Sequence, residues 1–365
     1  MQKKKILHLI TGLEIGGAEM MLLKTLPRMQ DRFNNRVCCI IGHGSIGEKL
    51  ETAGIPVYYL DLKNIFDLVI IFRFRKIIKD FQPDILVTYL IHADLFGRVF
   101  SRIFGVKKIV CSQRGSLLQW EFLRIIDRLT KFFVTKYIVQ TGIAKKELAK
   151  KLHLPLKKIE VIPNSINISE YKFELDEIAK KKELKINPNN KNIVCVSNLR
   201  RGKGHEYLLE AFEEIFKINK NVNLLIIGDG EQKTILTRQV KKYKSINNIY
   251  FLGNRADVKE ILKISNIFVL LTFAEGMSNA IMEAMAMGIT VITTDIAVNR
   301  ELIKNNKTGI LVPIKNSTEI QEKVLFLLEN EDLRKTLGEN AKKEIIEKFA
   351  LDNVIKKLSS FLEKI

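Results

Sequence analysis

The sequence has few of the residues that cross-link a chain or break its secondary structure. Its 365 residues include seven prolines, one tryptophan and four cysteines, with no C-x-x-C pair. A disulfide framework and a cysteine-based zinc site are therefore not expected. We predict reduced thiols, buried in apolar strands, as is typical of a reducing compartment. The four are Cys38, Cys39, Cys111 and Cys195.

Long hydrophobic runs are also missing. No stretch approaches the roughly 18 apolar residues of a membrane-spanning helix. The apolar run Ile6–Ile10 behind Lys3–Lys5 is too short for a signal peptide, and no cleavage site follows it. We therefore expect a cytoplasmic protein, either free or peripheral on the inner face of the membrane.

Several catalytic motifs do not occur. The sequence has no G-x-x-x-x-G-K-[ST] phosphate loop, no H-E-x-x-H or Cys/His cluster for zinc, and no G-x-S-x-G serine elbow. These absences argue against P-loop nucleotidases, zinc enzymes and α/β-hydrolases. No protein-bound metal and no cofactor are expected.

Positive charge is in excess. The 60 Lys and Arg residues outnumber 41 Asp and Glu residues, giving a formal net charge of +19. Such a field favours anionic partners such as nucleotides or anionic lipid, although a generally lysine-rich composition would produce the same excess. No RNP motif, helix-turn-helix or RGG tract is present, so nucleic acid is not an expected partner.

Short apolar runs alternate with longer amphipathic ones along the whole chain. This pattern predicts parallel sheets covered by helices on both faces, and thirteen strands are too many for one ordinary sheet. We therefore predict an α/β protein with two doubly wound, Rossmann-like domains facing across a cleft, residues 1–175 and 176–350. The predicted strands are Ile6–Ile10, Val37–Ile41, Val57–Leu60, Ile85–Tyr89, Lys108–Ser112, Tyr137–Gln140, Ile159–Ile162, Ile193–Val196, Asn223–Ile227, Ile249–Leu252, Ile267–Leu271, Thr290–Thr293 and Gly309–Val312.

Two carboxylates bracket a predicted turn and helix start. Glu275 follows the apolar run Asn266–Phe273, and Glu283 lies in a helical pattern, Ala280–Met287, that a glycine closes. Retaining glycosidases need two carboxyl groups about 5–5.5 Å apart. The spacing of Glu275 and Glu283 along the sequence instead suits two carboxylates that hold separate hydroxyl-bearing parts of one long ligand. N–H groups at the helix start would then meet phosphate oxygens between them.

A glycine-flanked basic loop follows the first strand of the second half. It runs Ser197-Asn198-Leu199-Arg200-Arg201-Gly202-Lys203-Gly204-His205. Three cations in a flexible turn suit an anionic group, and a diphosphate leaving group needs such charge neutralisation. In isolation the loop could equally be a solvated basic turn.

The segment E-G-x-x-N-A-x-x-E-A-M-A-x-G around Glu275 and Glu283 resembles the signature of the family 4 retaining glycosyltransferases, which have the GT-B fold. The basic loop resembles that family's G-R-L-x-x-x-K-G loop, with Asn198 in the position of the usual Arg. The resemblance implies that Glu275 holds donor-sugar hydroxyls and Glu283 the ribose. It also implies that Lys203, with Arg200 replacing the missing Arg, holds the diphosphate.

The resemblance extends to further turns. Gly16 and Gly17 lie in a turn like the family's G-G-A-E, which implies a place near the donor phosphates. His92 and Arg114 follow strands in the first half, which implies acceptor contacts and, for His92, a part in proton transfer. The remaining donor-side positions implied by the resemblance are Gly276, Met277, Ser278, Asn279, Gly228 and Arg255.

The resemblance implies a metal-independent retaining enzyme, consistent with the absence of a D-x-D motif. The donor would be a UDP-sugar or GDP-sugar bound by the second domain, and the acceptor a glycan or lipid-linked glycan of the cell envelope. The final helix, residues 351–365, would cross back to the first domain. Two alternatives stay open: a nucleotide-sugar epimerase of the same fold, and a non-enzymatic binder of anionic surfaces.

Two amphipathic stretches are candidates for contact with a membrane surface. Ile65–Lys79 and Leu117–Tyr137 both mix bulky apolar residues with Arg and Lys, as helices that lie in the plane of a membrane do. Ordinary core helices with a solvated face would show the same pattern.

Overall fold

A computed structural model describes residues 3–64, 66–114 and 121–365. Contacts divide the chain into two compact units: unit 1 comprises residues 1–165 with 351–365, and unit 2 comprises residues 166–350. Ile65 and residues 115–120, which belong to or adjoin the two stretches predicted to meet a membrane, lie outside the described residues.

Unit 1 contains a seven-stranded parallel sheet in the order β3-β2-β1-β4-β5-β6-β7. Its strands are β1 (Lys4–Ile10), β2 (Phe33–Cys39), β3 (Val57–Tyr59), β4 (Ile85–Tyr89), β5 (Lys108–Ser112), β6 (Lys136–Val139) and β7 (Ile159–Val161). Its helices are α1 (Gly17–Thr25), α2 (Ser45–Thr52), α3 (Val69–Phe81), α4 (Ile91–Ile103), α5 (Glu121–Thr130), α6 (Gly142–Leu152) and, from the end of the chain, α15 (Leu351–Lys364).

Unit 2 contains a six-stranded parallel sheet in the order β10-β9-β8-β11-β12-β13. Its strands are β8 (Lys191–Val196), β9 (Val222–Ile227), β10 (Ile249–Gly253), β11 (Ile267–Leu270), β12 (Thr290–Thr294) and β13 (Ile310–Val312). Its helices are α7 (Glu177–Glu183), α8 (His205–Ile218), α9 (Lys233–Val240), α10 (Val258–Lys263), α11 (Asn279–Met287), α12 (Asn299–Leu302), α13 (Ser317–Glu329) and α14 (Glu331–Phe349).

All thirteen predicted strands are present, and the prediction of two doubly wound parallel sheets is confirmed. In each sheet the strand order reverses once, between β1 and β4 in unit 1 and between β8 and β11 in unit 2. Ligands of open α/β sheets bind outside the carboxyl ends of the strands at such a reversal. The fold therefore predicts a ligand site in each sheet at the carboxyl ends of the two strands where the order reverses.

The division between the units falls after Ser165, ten residues before the predicted boundary at 175. Ile166 pairs with Ala350 in an isolated bridge, and Tyr171 is buried in the core of unit 2. These contacts assign residues 166–175 to unit 2 although the segment has no strand pattern. The α15 residues Val354 and Leu358 pack into the core of unit 1.

Each sheet is covered by apolar side chains that come from its own helices. In unit 1, one core cluster lies with α1, α2 and α15, and a second with α3, α4 and α6. The four cysteines are buried as predicted and form no disulfide. Burial raises the pKa of Cys111 and of Cys195 to about 12, so both remain neutral thiols.

Candidate active site

The reversal point of the unit 2 sheet lies between two loops. Residues 197–204 leave the carboxyl end of β8, and residues 271–278 leave the carboxyl end of β11, the strand beside it. The first is the predicted basic loop and the second carries Glu275. The fold thus brings together, at one edge, two segments that lie far apart in the sequence.

Lys203 and Glu275 form a salt bridge across this reversal point. The side chain of Lys203 is only 9% exposed, whereas that of Glu275 is 20% exposed. A nearly buried ammonium group needs a counter-charge, because the loss of hydration is otherwise uncompensated. The pair therefore marks a place where one cation and one carboxylate converge at the mouth of the sheet.

Close backbone contacts hold the basic loop against its neighbours. The carbonyl oxygen of Gly202 accepts a hydrogen bond from the N–H of Phe273 at 2.8 Å. Gly204 has a φ of +67°, and a Cβ there would lie 2.4 Å from the carbonyl oxygen of Leu271. Only glycine meets both constraints, which explains why a glycine follows Lys203 in the loop.

Gly228, a predicted donor-binding residue, also packs against this loop. It has a φ of +131°, and a Cβ there would lie 2.0 Å from the carbonyl oxygen of Ser197. Asp229, in the same turn, also contacts the loop, because its carbonyl oxygen accepts a hydrogen bond from the N–H of Leu199 at 2.9 Å. Its glycine is thus required by close packing of the β9–α9 turn on the basic loop.

A buried side-chain contact joins the two ends of the basic loop. Ser197 Oγ and His205 Nε2 are 2.9 Å apart, and His205 is 2% exposed. Burial, and then the charge of Lys203, lower the pKa of His205 from 6.5 to about 4. No role could be predicted for either residue from the sequence, because nothing in the linear pattern shows that they meet.

Arg200 and Arg201 are both exposed at the tip of the loop. Within the described ranges, neither side chain has an ion-pair partner. Arg200 is thus available to act with Lys203 as the second cation predicted to hold the diphosphate. Asn198, which stands in the place of the family's Arg, is exposed as well.

Helix α11 begins at Asn279 and ends before Gly288, close to the predicted helix. Ser278 caps it, because its Oγ accepts a 3.4 Å hydrogen bond from the N–H of Ile281. Met277 is 8% exposed and belongs to the hydrophobic core of unit 2. Gly276 is partly exposed.

Glu283 lies one turn into α11 and is partly buried. The buried residue Tyr171 lies close enough that the charge of Glu283 adds to burial in raising the pKa of the Tyr171 hydroxyl. The ammonium group of Lys259 is 5.3 Å from the centroid of the Tyr171 ring. Sequence reasoning missed Tyr171 because it lies in the linker segment, outside any motif.

Arg255, one of the predicted donor-side residues, follows β10 and is already engaged in ion pairs. Its Nη2 contacts Asp257 at 2.6 Å and Glu183 at 3.1 Å. The buried ammonium of Lys180 shares both Asp257 and Glu183. This network ties α7 to the turn after β10, so Arg255 shapes that turn at least as much as it offers charge to a ligand.

At the reversal point of unit 1, the start of α1 is occupied by a carboxylate of the same helix. The side chain of Glu19 folds back, and a Cβ on Gly16 would lie 2.3 Å from its Oε2. That carboxylate accepts hydrogen bonds from the N–H groups of Ala18 and Glu19, and burial raises its pKa. Gly16 and Gly17 thus lie at the start of α1, and the carboxylate of Glu19 lies where the resemblance implies donor phosphates.

His92 is exposed in the first turn of α4, on the other side of that reversal point. The preceding Leu90 has a φ of +69° and a ψ of 154°. This region is adopted almost solely by glycine, and non-glycine residues there occur mostly at functional sites. The strained turn directs His92 outward from the carboxyl end of β4.

Arg114, the other predicted acceptor residue, follows β5 and is held from several sides. Its guanidinium donates to Asn164 Oδ1 at 3.0 Å and to Ser112 Oγ at 3.3 Å, and it contacts Met21. Burial lowers its pKa to about 10, so it remains charged near neutral pH. Arg114 is therefore a fixed cation.

Two family models match most of the chain. Residues 15–170 match the model described as glycosyltransferase family 4, and residues 176–344 match the model of glycosyl transferases group 1. The boundary between the two matches falls close to the division between units.

Two curated relatives are distant in sequence. The N-acetyl-alpha-D-glucosaminyl L-malate synthase of Bacillus anthracis is 28% identical over 63% of this chain and 60% of its own length. That match therefore spans less than two thirds of the relative. The UDP-Gal:alpha-D-GlcNAc-diphosphoundecaprenol alpha-1,3-galactosyltransferase of Escherichia coli is 25% identical over 83% of this chain and 80% of its own length.

Solved structures share the whole fold. HepE of Anabaena, crystallised with UDP, superposes with a TM-score of 0.89 at 20% identity, covering 99% of this chain and all of HepE. A glycosyltransferase of Rickettsia africae also gives a TM-score of 0.89, at 21% identity, over 100% of this chain and 99% of that one. Together with the two family models, these likenesses show that the chain belongs to the family 4 glycosyltransferases of the GT-B fold.

Proposed function

We propose that this chain transfers a sugar from a nucleoside-diphosphate sugar to a glycan or lipid-linked glycan acceptor in cell-envelope polysaccharide synthesis. The reaction retains the anomeric configuration and needs no metal. Support for the acceptor class comes from relatives whose names specify diphosphoundecaprenol-linked sugars, in Escherichia coli and Campylobacter jejuni. HepE, crystallised with UDP and with UDP-glucose, supports the donor class.

The salt bridge between Lys203 and Glu275 is the observation that carries the proposal. In a nucleotide sugar, the sugar is bonded directly to the terminal phosphate, so a phosphate-binding cation and a hydroxyl-binding carboxylate must lie within a few ångströms of each other. The two side chains meet this requirement at the edge where such sheets bind ligands. Without donor, each neutralises the other; with donor, each has its own part of the ligand to contact.

The other site residues are assigned to successive parts of the donor, from the diphosphate to the ribose and the base, and to the acceptor. Arg200 adds a second cation for the diphosphate, and backbone N–H groups of 276–279 add donors at the start of α11. Glu283 holds the ribose. Gly228 and Arg255 shape the turns that receive the base. His92 and Arg114 contact the acceptor.

In this mechanism, cations stabilise the departing nucleoside diphosphate. As the bond between the sugar and phosphate breaks, negative charge grows on the leaving group beside Lys203 and Arg200, which lowers the barrier. No side chain is assigned as a covalent nucleophile. The acceptor hydroxyl attacks the same face, and the departing phosphate takes its proton.

A transfer assay tests the proposal. The enzyme is incubated with UDP-sugars and GDP-sugars and an undecaprenyl-diphosphate sugar acceptor, in EDTA and in Mg²⁺, and the anomeric proton of the product is followed by NMR. We expect transfer from donors of one base, equal rates in both buffers and an α-linked product from an α-linked donor. An inverted product, a strict need for Mg²⁺, or no turnover of any donor would contradict the corresponding part of the proposal.

We further propose that the face of unit 1 carrying α3 and α5 contacts an anionic membrane. Phe66 and Leu68, just before α3, and Phe72, in its first turn, are 81%, 67% and 67% exposed. The opposite face of the helix, including Phe74 and Ile78, is buried in the core. A merely solvated polar face does not account for three bulky apolar side chains exposed before and within the first turn of a helix, so the membrane hypothesis is the better of the two.

Cations accompany these apolar side chains. Arg75 and Lys79 line a cleft of about 790 Å³ together with Ile103 and Phe104. Among the described residues neither cation has an ion-pair partner, and the short 3-10 turn that follows α5 adds the exposed Phe132 beside Lys131. No helix in the described ranges is long and apolar enough to cross a bilayer.

Vesicle sedimentation tests this contact. We expect binding to phosphatidylcholine vesicles that contain phosphatidylglycerol, weak binding to phosphatidylcholine alone, and loss of binding in Phe66→Ser/Phe72→Ser. Ile218→Ser, at an apolar position of unit 2 that is 64% exposed, is the matched control and should bind as the unmodified protein does. Equal binding by both variants would contradict the assignment of this face.

A further inference from the structure

The basic loop of unit 2 is held by its neighbours on both sides, and one side-chain contact joins its two ends. That contact joins Ser197, at the carboxyl end of β8, to His205, the first residue of α8. Lys203 lies between them, two residues before His205. The position of His205 therefore sets where the chain carrying Lys203 leaves the loop.

The surroundings leave His205 little freedom. It is 2% exposed, and Gly204 before it is in backbone contact with Leu271. Ser197 is fixed as well, because its N–H donates to the carbonyl oxygen of Ile227 at 3.0 Å. The hydrogen bond thus connects two anchored points and closes the loop that contains Lys203.

The imidazole is also neutral, and this suits its place. With its pKa lowered to about 4, His205 carries no charge at neutral pH. A charged imidazole would repel the nearly buried ammonium of Lys203 and weaken the hold of Glu275 on it. A neutral ring can form the hydrogen bond without this cost.

We propose that Ser197 and His205 are positioning residues for Lys203: their hydrogen bond fixes the loop so that the ammonium group meets the diphosphate of the donor. Neither residue touches the ligand. The inference rests on the proposed function, since it supposes that Lys203 binds a nucleoside diphosphate. It assigns a reason for a serine and a histidine at the two ends of the loop.

The test is a set of affinities for UDP and GDP, measured by calorimetry at pH 7.5. Ser197→Ala and His205→Leu each remove the hydrogen bond, and we expect each to weaken binding of the preferred nucleotide about tenfold. Because both break the same contact, the double variant should be no weaker than either single one. His205→Gln, whose amide reaches the position of Nε2, should restore most of the affinity.

A matched control separates positioning from general stability. His8 is a second buried histidine, in unit 1, with a pKa of about 4 and contacts to Tyr89 and Asn35 at 3.1 and 3.2 Å. His8→Leu should lower the melting temperature as His205→Leu does, yet leave nucleotide affinity unchanged. Equal loss of affinity in both variants would show a stability effect and overturn the inference.

Lys203→Ala separates this inference from the function on which it rests. If neither UDP nor GDP binds the unmodified protein, or if Lys203→Ala binds as well as the unmodified protein, the proposed donor site is wrong. If Lys203→Ala loses affinity while folded Ser197→Ala and His205→Leu keep it, the donor site stands and the positioning role is wrong.

Discussion

Lys203 and Glu275 are 72 residues apart in the chain and form a salt bridge at the point where the strand order of the second sheet reverses. Each comes from a different strand–helix loop, and the two strands are neighbours. The ammonium group is nearly buried and the carboxylate is partly open to solvent. This asymmetry predicts different consequences when either partner is removed.

Lys203→Ala should weaken nucleoside-diphosphate binding by about tenfold to a hundredfold, because hydrogen bonds to charged groups contribute about 1.5–3 kcal/mol. Glu275→Gln should bind the nucleoside diphosphate with little change and lose turnover of the sugar donor, since its contact is with the sugar. Calorimetry and a donor-turnover assay measure the two effects. Equal loss of nucleotide affinity in both variants would contradict the division of roles.

Inorganic diphosphate separates the phosphate contact from the ribose contact. Lys203→Ala should lose affinity for both inorganic diphosphate and the nucleotide. Glu283→Gln should lose affinity for the nucleotide alone, because its proposed partner is the ribose. Competition by inorganic diphosphate against a labelled nucleotide measures this, and loss of diphosphate affinity in Glu283→Gln would be contrary to the assignment.

Gly228→Ala should destabilise unit 2 by more than about 2 kcal/mol, because the added Cβ must displace a backbone carbonyl as well as adopt an unfavourable φ. Gly253→Ala is the control: φ is +66°, and nothing lies within 4 Å of the added Cβ. Its cost should be limited to the left-handed backbone, about 1–2 kcal/mol. Urea denaturation of the two variants tests the difference, and equal costs would refute the close-packing account of this turn.

Stability should fall as the pH falls from 6.5 to 4. His205 has an ordinary pKa of 6.5 when unfolded and about 4 when folded, so in this window the unfolded chain binds a proton that the folded chain does not. The associated stability is present above pH 6.5, and about 2 kcal/mol of it is lost at pH 5. His205→Gln lacks this loss, so its deficit relative to the unmodified protein should shrink between pH 7.5 and pH 5 in denaturation experiments. A constant deficit would mean that the folded histidine titrates normally.

Arg98 is fully buried in unit 1 between Asp127 and Asp94. Arg98→Met should cost about 3–5 kcal/mol, since it leaves buried carboxyl groups without their cation. Asp94, whose pKa burial already raises to about 7, should then be neutral over a wider pH range. Arg98→Met/Asp127→Leu should recover part of the loss, and Arg300→Met, at an exposed pair with Asp295, should change stability little.

The strands and the fold class could be predicted because a buried parallel strand is recognisable from its own residues, as a short apolar run. Two strands, Ile85–Tyr89 and Lys108–Ser112, have the predicted bounds, and the others differ by a few residues at their ends. The division between units was less accessible. Residues 166–175 have no periodic pattern, and only contacts such as the Ile166–Ala350 bridge place them in unit 2.

The candidate site was predictable only where a motif carried it. The pairing of Ser197 with His205 needs the loop to close, and the occupation of the α1 start by Glu19 needs the side chain to fold back over Gly16. Neither is encoded in spacing along the sequence. Tyr171 lies near enough to Glu283 for that charge to help raise its pKa, yet Tyr171 itself belongs to no motif.

The most direct test of the account is calorimetric titration of UDP and GDP, in EDTA, into the unmodified protein, Lys203→Ala and Lys217→Ala. Lys217 lies in the same unit and pairs with Glu214 on the exposed face of α8, so it controls for loss of a lysine. We predict saturable binding of one nucleotide to the unmodified protein and to Lys217→Ala, and binding at least about tenfold weaker in Lys203→Ala. Absence of binding by either nucleotide, or equal affinity in all three proteins, would contradict the central claim that the second unit holds the donor at Lys203.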